Sequence, residues 1–207
     1  MLEAFTEWGM PRAIRSDNGE PFGVPTRDVI PFMSLWLIAW GIQPILNRPR
    51  QPQDNPHVEN NQGTSSRWAE VFECKSIAQM QQNLDEACRF QRDIYPVRRI
   101  GNVPRKRVFP GLYEKARPFE QALFDEQKAY AFLAQAIYPR KVSAYGTISL
   151  YSQKFQVGFK YRGQVVFVKF DPDSLSWLCL DKNQNIVLAL PDQRFSKQNL
   201  YNLNICQ

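Results

Sequence analysis

The sequence predicts an α/β region followed by a small all-β module. Between residues 13 and 46, a short apolar strand, an apolar helix and a second short strand follow one another. A proline-rich, strongly basic stretch lies in the middle of the chain, and short segments rich in β-branched and aromatic residues lie near its end. We therefore divide the chain into residues 1–95, 96–139 and 140–207.

Residues 1–95 alternate strand and helix signals. The letters RAIRS indicate a strand that ends at Asp17, and residues 29–40 indicate a helix that is apolar nearly all round. IQPIL indicates a second strand, and Pro56 is typical of the first turn of a helix. Ser76 and Gln79 form a capping-box signature, which predicts that a further helix begins there.

The rest of the chain changes character twice. Prolines and glycines in residues 96–118 indicate an extended connection without regular structure, and residues 119–137 indicate a helix. Short strands then follow, separated by turn signals: GTISLY, KFQVGFKY, QVVFVKF, SWLCLD and NIVLAL. Short strands at this spacing predict a small closed or half-closed barrel, because closure removes exposed strand edges.

The positive charge of the chain is concentrated in its middle. The net charge is +6, and residues 89–117 alone hold nine Lys or Arg against two Asp or Glu. Such a concentration is typical of proteins that bind a polyanion, because Lys and Arg displace condensed counterions from phosphates. A solvated basic linker is the alternative interpretation.

Several classes of protein are excluded by composition. The four cysteines form no CxxC pair, which argues against a zinc ribbon or a disulfide framework and favours a reducing cytoplasm. The most apolar run, residues 30–42, contains Pro31 and is shorter than the roughly 20 residues that span a bilayer. We therefore expect no membrane partner.

Two short stretches carry the candidate chemistry. IRSDNGEPFG brings Asp17 to the end of a strand, where Asn18 and Gly19 supply a turn. QPQDNPHVENN places Glu59 in the opening turns of a helix. Taken separately, Asp17 is a common turn residue and Glu59 a residue that interacts favourably with the helix dipole.

Taken together, these stretches resemble the catalytic region of the DDE transposases and retroviral-type integrases, which include bacterial insertion-sequence transposases. The resemblance assigns Asp17 as the second catalytic acid and Glu59 as the third. The strands after residue 140 resemble the C-terminal barrel of Mu-type transposases. The fold class implied is α/β, a partial ribonuclease H-like integrase core, followed by a small all-β SH3-like barrel.

The resemblance implies DNA integration by phosphodiester cleavage and strand transfer. Such reactions use two divalent ions, Mg²⁺ or Mn²⁺, and these ions prefer carboxylate oxygens. Asp17 and Glu59 are therefore the expected metal ligands and catalytic residues. The expected partners are DNA, as transposon ends and target, and further copies of this chain or an intact transposase on that DNA. The implied location is cytoplasmic and nucleoid-associated.

Basic residues are the candidates for phosphate contacts. Strand transfer needs sequence-tolerant binding of the DNA backbone, and Lys and Arg supply it. The expected DNA-binding residues are Arg98, Arg99, Arg105, Lys106 and Arg107, with Lys160 and Arg162 extending the track over the predicted barrel.

One departure from the family pattern affects activity. The family's first acid lies well upstream of the Asp-Asn-Gly stretch, and residues 1–16 contain no Asp. We therefore expect this chain to lack the first catalytic carboxylate together with the central strands of the sheet, and to be inactive and without bound metal unless that acid is supplied. Without those strands, the helix at residues 29–40 is expected to leave apolar surface uncovered.

Three hypotheses of function stay open. The first is a transposase-family protein for DNA integration, with Asp17 and Glu59 as its metal carboxylates. The second is a noncatalytic DNA-binding or assembly module that uses the basic segment and the barrel. The third is an inert pseudogene product.

Overall fold

Helices and strands alternate along the chain. A computed structural model describes residues 1–19, 21–23, 29–48 and 56–203. The helices in these ranges are α1 (Leu2–Trp8), α2 (Phe32–Ala39), α3 (Pro56–Trp68), α4 (Ile77–Asp93), α5 (Arg105–Val108), α6 (Glu126–Ala134) and α7 (Lys197–Asn202). The strands are β1 (Ala13–Ser16), β2 (Gln43–Leu46), β3 (Pro96–Val97), β4 (Val103–Pro104), β5 (Ile137–Lys141), β6 (Thr147–Leu150), β7 (Gln153–Gln156), β8 (Val165–Asp171), β9 (Ser176–Leu180) and β10 (Ile186–Pro191). The chain is therefore mixed α/β, which confirms the predicted class.

The described residues form two compact units that do not follow chain order. Unit 1 draws on Met1–Pro11 and Arg50–Phe119, and unit 2 draws on Arg12–Pro49 and Glu120–Gln207. Unit 2 thus combines the strand–helix–strand segment β1–α2–β2 with the C-terminal strands. The division predicted from sequence follows composition along the chain, whereas these units follow contacts in space.

In unit 1, α3 and α4 pack against each other, and the start of α4 has the predicted cap. The Ser76 hydroxyl accepts a hydrogen bond from the Gln79 backbone N–H (3.1 Å). The Gln79 side chain in turn accepts one from the backbone N–H of Lys75 (2.9 Å). The first bond satisfies an N–H group that the helix itself leaves without a partner, the second ties the residue before the cap to the first turn, and the predicted helix start is confirmed.

The N-terminal helix α1 is held by the end of the unit 1 sequence. The buried ring of Phe5 lies 6.4 Å from that of Phe119. The Met10 N–H donates to the Arg117 carbonyl (2.7 Å), and Lys115 Nζ donates to the Thr6 carbonyl (2.7 Å). These contacts join two segments that are about a hundred residues apart in sequence.

In unit 2, β1 and β2 pair in parallel, with register from Ala13↔Gln43 to Ser16↔Leu46. The helix between them, α2, begins at Phe32 rather than at residue 29. Pro31 explains the later start, because a proline disfavours helical geometry in the residue before it and is tolerated at the edge of a helix. Pro31 itself has extended backbone, with ψ of 153°.

Helix α2 is buried against the C-terminal part of unit 2. The Trp36 indole N–H donates to the Tyr201 carbonyl (3.0 Å) in α7. The ring of Trp40 lies 5.1 Å from that of Phe124 and 5.8 Å from that of Tyr201. Trp36 and Trp40 are 3% and 1% exposed. Phe124, just before α6, and Tyr201 of α7 therefore cover these two side chains, whereas Ile38 of the same helix is partly exposed and lines a cleft.

The C-terminal strands form an open sheet rather than a closed barrel. Within the described residues, the antiparallel order is β10-β9-β8-β5, and β6 and β7 form a separate hairpin. The strand β5 begins at Ile137, the last residue of the predicted helix, and Tyr138 pairs with Val168 on β8. Helix α6 ends at Ala134, so the predicted helix at residues 119–137 is too long at both ends.

The core of unit 2 is aromatic. The rings of Phe170 and Trp177 lie 5.0 Å apart, and Phe195 lies within 5.5 Å of both. The buried Tyr130 hydroxyl donates to the Phe195 carbonyl (2.5 Å), and burial, followed by the charge of Glu126, raises the pKa of Tyr130 to about 12. The hydroxyl therefore stays protonated and remains a donor at neutral pH.

Other sequence expectations can be placed on this fold. In the part of the chain that is described, no helix is long and apolar enough to cross a membrane. Cys74, Cys88 and Cys179 are unpaired, and Cys206 lies outside the described residues. Burial raises the pKa of the Cys179 thiol to about 11.

We predict that Tyr130→Phe lowers the free energy of unfolding of unit 2 by about 1–3 kcal/mol, because the buried Phe195 carbonyl loses its donor. Tyr145→Phe is the matched control, since Tyr145 is 77% exposed, and its effect is expected to stay within about 0.5 kcal/mol. Chemical denaturation followed by near-ultraviolet circular dichroism measures both. Equal stabilities of the two variants would contradict this account of the core.

Candidate functional site

The carboxyl ends of β1 and β2 lie at the same edge of the parallel pair. Asp17 directly follows β1 and is exposed, and Asn47 directly follows β2 and is buried. The Asn47 N–H donates to the Ser16 carbonyl (2.9 Å), which brings the two strand ends together. This edge is where ligands of parallel α/β sheets commonly bind.

Two amide oxygens at this edge are buried without a partner. Oδ1 of Asn18 and Oδ1 of Asn47 accept no hydrogen bond from the described residues, and Asn47 is only 8% exposed. A buried acceptor without a donor costs free energy, so these oxygens call for a partner such as an ordered water or an ion. Mg²⁺ prefers oxygen ligands such as carboxylates and amide carbonyls. The oxygen atoms beside Asp17 therefore fit the implied ion as ligands.

The second predicted metal ligand lies in unit 1. Glu59 falls in α3, which begins at Pro56 as predicted, but its side chain lies outside the described residues. Asp17 lies in unit 2. Within the described ranges, no three His, Cys, Asp or Glu side chains come together as a metal-binding group. The assignment of Asp17 and Glu59 as a metal pair stays a prediction.

The predicted phosphate-binding residues of unit 1 lie on one short, ordered segment, residues 98–107, which we call the basic segment. Strands β3 and β4 pair Val97 with Val103 and close the loop that carries Arg98 and Arg99. Gly101, at φ of 87°, provides the left-handed turn of this loop. Lys106 and Arg107 follow in α5. The expectation that residues 96–118 lack regular structure is therefore wrong.

Arg105 fixes the basic segment to the end of α4. Its Nη1 donates to the Gln91 carbonyl (2.7 Å), and the Gln91 side chain donates to Ser65 Oγ on α3 (3.1 Å). Gln91 and Ser65 are 6% and 8% exposed. Arg105 is therefore a structural residue at least in part. The other basic residues of the segment are exposed: Arg98, Arg99, Lys106 and Arg107.

A second contact holds the chain after α5. Arg92 Nε donates to Asp93 Oδ1 and to the Tyr113 hydroxyl (both 3.0 Å), and its guanidinium lies 4.5 Å from the Trp8 ring centroid. Tyr113 donates its hydroxyl hydrogen to Asp93. Lys106 Nζ lies 4.7 Å from the centroid of the Tyr113 ring. The ring thus limits where Lys106 can extend.

These contacts perturb the pKa values of Arg92, Asp93 and Tyr113. The hydrogen bond from Tyr113, and next the one from Arg92, lower the pKa of the Asp93 carboxyl below its ordinary value of 3.8. Desolvation and the hydrogen bond to Asp93 raise the pKa of Tyr113 above 10.0. A lowered carboxyl pKa means that the charged form is favoured in the folded state. The contact is therefore intact at neutral pH and weakens as pH falls through the lowered pKa of Asp93.

The remaining predicted DNA-binding residues lie in unit 2. Lys160 and Arg162 are exposed beside the short helical turn Phe159–Tyr161, and Lys160 Nζ lies 4.8 Å from the centroid of the Tyr161 ring. Their solvent exposure permits contact with a polyanion. Their position on a surface turn also agrees with a role in solubility.

Sequence reasoning missed two residues. Asn47 lies at the strand edge beside Asp17, and Gln91 holds Arg105 of the basic segment. Asn47 follows a short strand, and a polar residue at a strand end was the only available signal. Gln91 is a polar residue on the buried side of α4, which helical spacing could have indicated. As for known proteins, no protein-family model matches the chain.

We predict that Tyr113→Phe raises the pKa of Asp93 toward its ordinary value, because the largest cause of the lowered pKa is the hydrogen bond from the Tyr113 hydroxyl. The carboxyl pKa can be followed by nuclear magnetic resonance of labelled aspartate during an acid titration. Tyr145→Phe is the control and is expected to leave the pKa of Asp93 unchanged. An unchanged pKa in Tyr113→Phe would show that the hydroxyl does not hold the carboxylate in solution.

Proposed function

We propose that this chain is a DNA-binding protein of the DDE transposase and integrase class, and that the basic segment contacts the phosphate backbone. The observation that carries the proposal is the exposure of Arg98, Arg99, Lys106 and Arg107 on a segment that Arg105 holds to α4. A solvated linker has no need for such a fixed arrangement. Fixed cations lose less conformational entropy when they bind phosphates than cations on a flexible chain do.

Phosphate contact explains the composition of this segment. Each neutralised phosphate releases condensed counterions, so affinity gained in this way falls steeply with salt. Phosphates carry no sequence information, so the same residues can serve both transposon ends and target DNA. Lys160 and Arg162 provide further phosphate contacts in unit 2 under this proposal.

The finer classification of the fold belongs to the same proposal. The parallel β1–α2–β2 unit with Asp17 at its carboxyl edge supports assignment to a ribonuclease H-like core. The antiparallel sheet β10-β9-β8-β5 with the hairpin β6–β7 supports an SH3-like module that is incompletely closed. The resemblance of the Asp17 and Glu59 stretches to the DDE family supports both assignments.

The catalytic part of the proposal rests on Asp17 and Glu59 as the residues that would hold Mg²⁺ or Mn²⁺. When bound, such ions stabilise the charge that develops on the attacking and leaving oxygens of a phosphodiester. The chain's own contribution would be positioning: the parallel strand pair fixes the backbone at Asp17, and the basic segment holds the DNA backbone. Assembly with further copies or an intact transposase completes the proposal.

A noncatalytic DNA-binding or assembly module is the second candidate. One observation favours it: among the described residues, the hydrogen bonds that hold Arg105 and Gln91 lie within unit 1, whereas Asp17 lies in unit 2. DNA binding by this segment therefore does not depend on the Asp17 carboxylate. Activity assays decide between the two candidates, and absence of both binding and activity would support the inert remnant.

We predict that replacing Arg98 and Arg99 together by Gln lowers the magnitude of the salt slope of duplex binding, log K against log salt, by about 2, because two phosphates are no longer neutralised. Fluorescence anisotropy with a labelled duplex of arbitrary sequence measures this slope. The charge-matched control replaces Lys75 and Lys182, both exposed, by Gln. An equal decrease in both double variants would show that general charge, and not this segment, binds DNA.

We further predict that Asp17→Asn leaves the duplex dissociation constant unchanged, because the residue lies outside the unit that holds the basic segment. The same anisotropy assay measures it. A strand-transfer assay with Mg²⁺ runs alongside. If the wild type has strand-transfer activity and Asp17→Asn abolishes it, the first candidate, an integrating enzyme, is supported. If the wild type binds DNA but has no activity, the noncatalytic module is supported. A large loss of binding in Asp17→Asn would contradict the separation of the two functions.

A further inference from the structure

Three aromatic rings form an exposed cluster at the ends of α3 and α4. The ring centroids of Trp68 and Tyr95 lie 4.9 Å apart, those of Trp68 and Phe90 5.5 Å, and those of Phe90 and Tyr95 6.2 Å. The three side chains are 37%, 41% and 43% exposed for Trp68, Tyr95 and Phe90. Mutual contact fixes the orientation of the rings, and partial exposure leaves ring surface available to a ligand.

Tyr95 also lines a cleft beside the basic segment. The cleft has a volume of about 400 Å³, which is within the range of small-ligand sites. Its lining residues are Tyr95, Pro96, Val97, Arg98, Arg99, Asn102 and Arg105. Apart from the tyrosine, every ionisable side chain in this lining is an arginine. A tyrosine and three arginines therefore line one space.

A second cavity at the aromatic cluster has a different charge. A neighbouring cavity shares Trp68 and Phe90 in its lining and includes Glu70 and Glu86 along with Arg67. The carboxylates there disfavour a phosphate, whereas the cleft beside Tyr95 favours one. The two linings therefore favour a phosphate in the cleft lined by Arg98 and Arg99 over the cavity lined by Glu70 and Glu86.

The cleft is also preorganised for an anion. Arg105 is held by the Gln91 carbonyl at 2.7 Å. The pairing of Val97 with Val103 fixes the loop that carries Arg98 and Arg99. Groups that are already held in place lose less entropy on binding than flexible ones do.

We propose that the cleft beside Tyr95 binds an unpaired nucleotide, with its base stacked on the tyrosine ring and its phosphate on Arg98 and Arg99. The bases of an intact duplex are stacked on one another and do not present a free face to this ring. The carboxylates of an acidic peptide would use the arginines but would not stack on the ring. This inference rests on the proposed DNA binding and specifies the substrate: a duplex with a single-stranded or frayed end.

The test compares a blunt duplex with the same duplex that carries a short oligothymidine overhang. Binding by the full chain is measured by anisotropy at one salt concentration. We expect the overhang duplex to have a dissociation constant about tenfold lower than that of the blunt duplex, which is the gain from one stacked base. A 2-aminopurine in the overhang reports stacking directly, because its fluorescence is quenched when it stacks. Equal affinity for both duplexes, with no quenching, would overturn the inference.

Variants of Tyr95 assign the preference to this ring. Tyr95→Phe keeps the ring and is expected to keep the preference for the overhang, whereas Tyr95→Leu is expected to lose it while binding the blunt duplex as the wild type does. Tyr145→Leu, at a residue that is 77% exposed in unit 2, is the matched control and is expected to keep the preference. A preference that survives in Tyr95→Leu overturns the assignment.

Failure of this inference is distinguishable from failure of the proposed function. Blunt-duplex binding without an overhang preference refutes the nucleotide cleft and leaves the basic segment as a duplex-binding surface. Absence of binding to either duplex refutes both. Polyglutamate and free oligothymidine serve as competitors of the bound overhang duplex. If both displace the duplex equally well, the cleft recognises negative charge alone, and this result also overturns the inference.

Discussion

The last turn of α4 is the constraint on which the arrangement of unit 1 depends. The Gln91 side chain bonds to Ser65 on α3, and its carbonyl accepts the hydrogen bond from Arg105. Arg92 contacts Trp8 near the end of α1 and the Tyr113 hydroxyl beyond α5. The carbonyl end of a helix favours cations, which explains why Arg105 donates to the Gln91 carbonyl. One helical turn thereby positions α1, α3 and the basic segment.

Unit 2 depends on apolar burial instead. Trp36 and Trp40 of α2 pack against Tyr201 of α7 and against Phe124, just before α6. Phe170 of β8 and Trp177 of β9 form the core on the sheet. The strand–helix–strand segment and the C-terminal strands consequently share one unit. Unit 1 is held to a larger degree by polar contacts, since its buried apolar side chains among the described residues are few: Phe5, Met10, Ala69 and Ala87.

Local sequence signals predicted the elements better than their partners. The strand ending before Asp17, the helix start at Pro56 and the Ser76 cap could be predicted, because each depends on residues close in sequence. The strand β5 could not, since its partner β8 lies about thirty residues away by numbering and tertiary pairing overrides local propensity. The burial of α2 against α7 and the position of Asn47 beside Ser16 also depend on residues far apart in sequence. The candidate acids and bases could therefore be predicted from the sequence, but the residues that contact them could not.

The central claim is that the basic segment, held by α4, is the surface on which this chain holds DNA. Ultraviolet crosslinking of the full chain to a duplex, followed by mass spectrometry of the digested protein, tests this claim most directly. The account predicts that crosslinked peptides contain residues 98–107 and that excess salt removes the crosslinks along with binding. Crosslinks confined to other parts of the chain, with residues 98–107 unmodified, would contradict it.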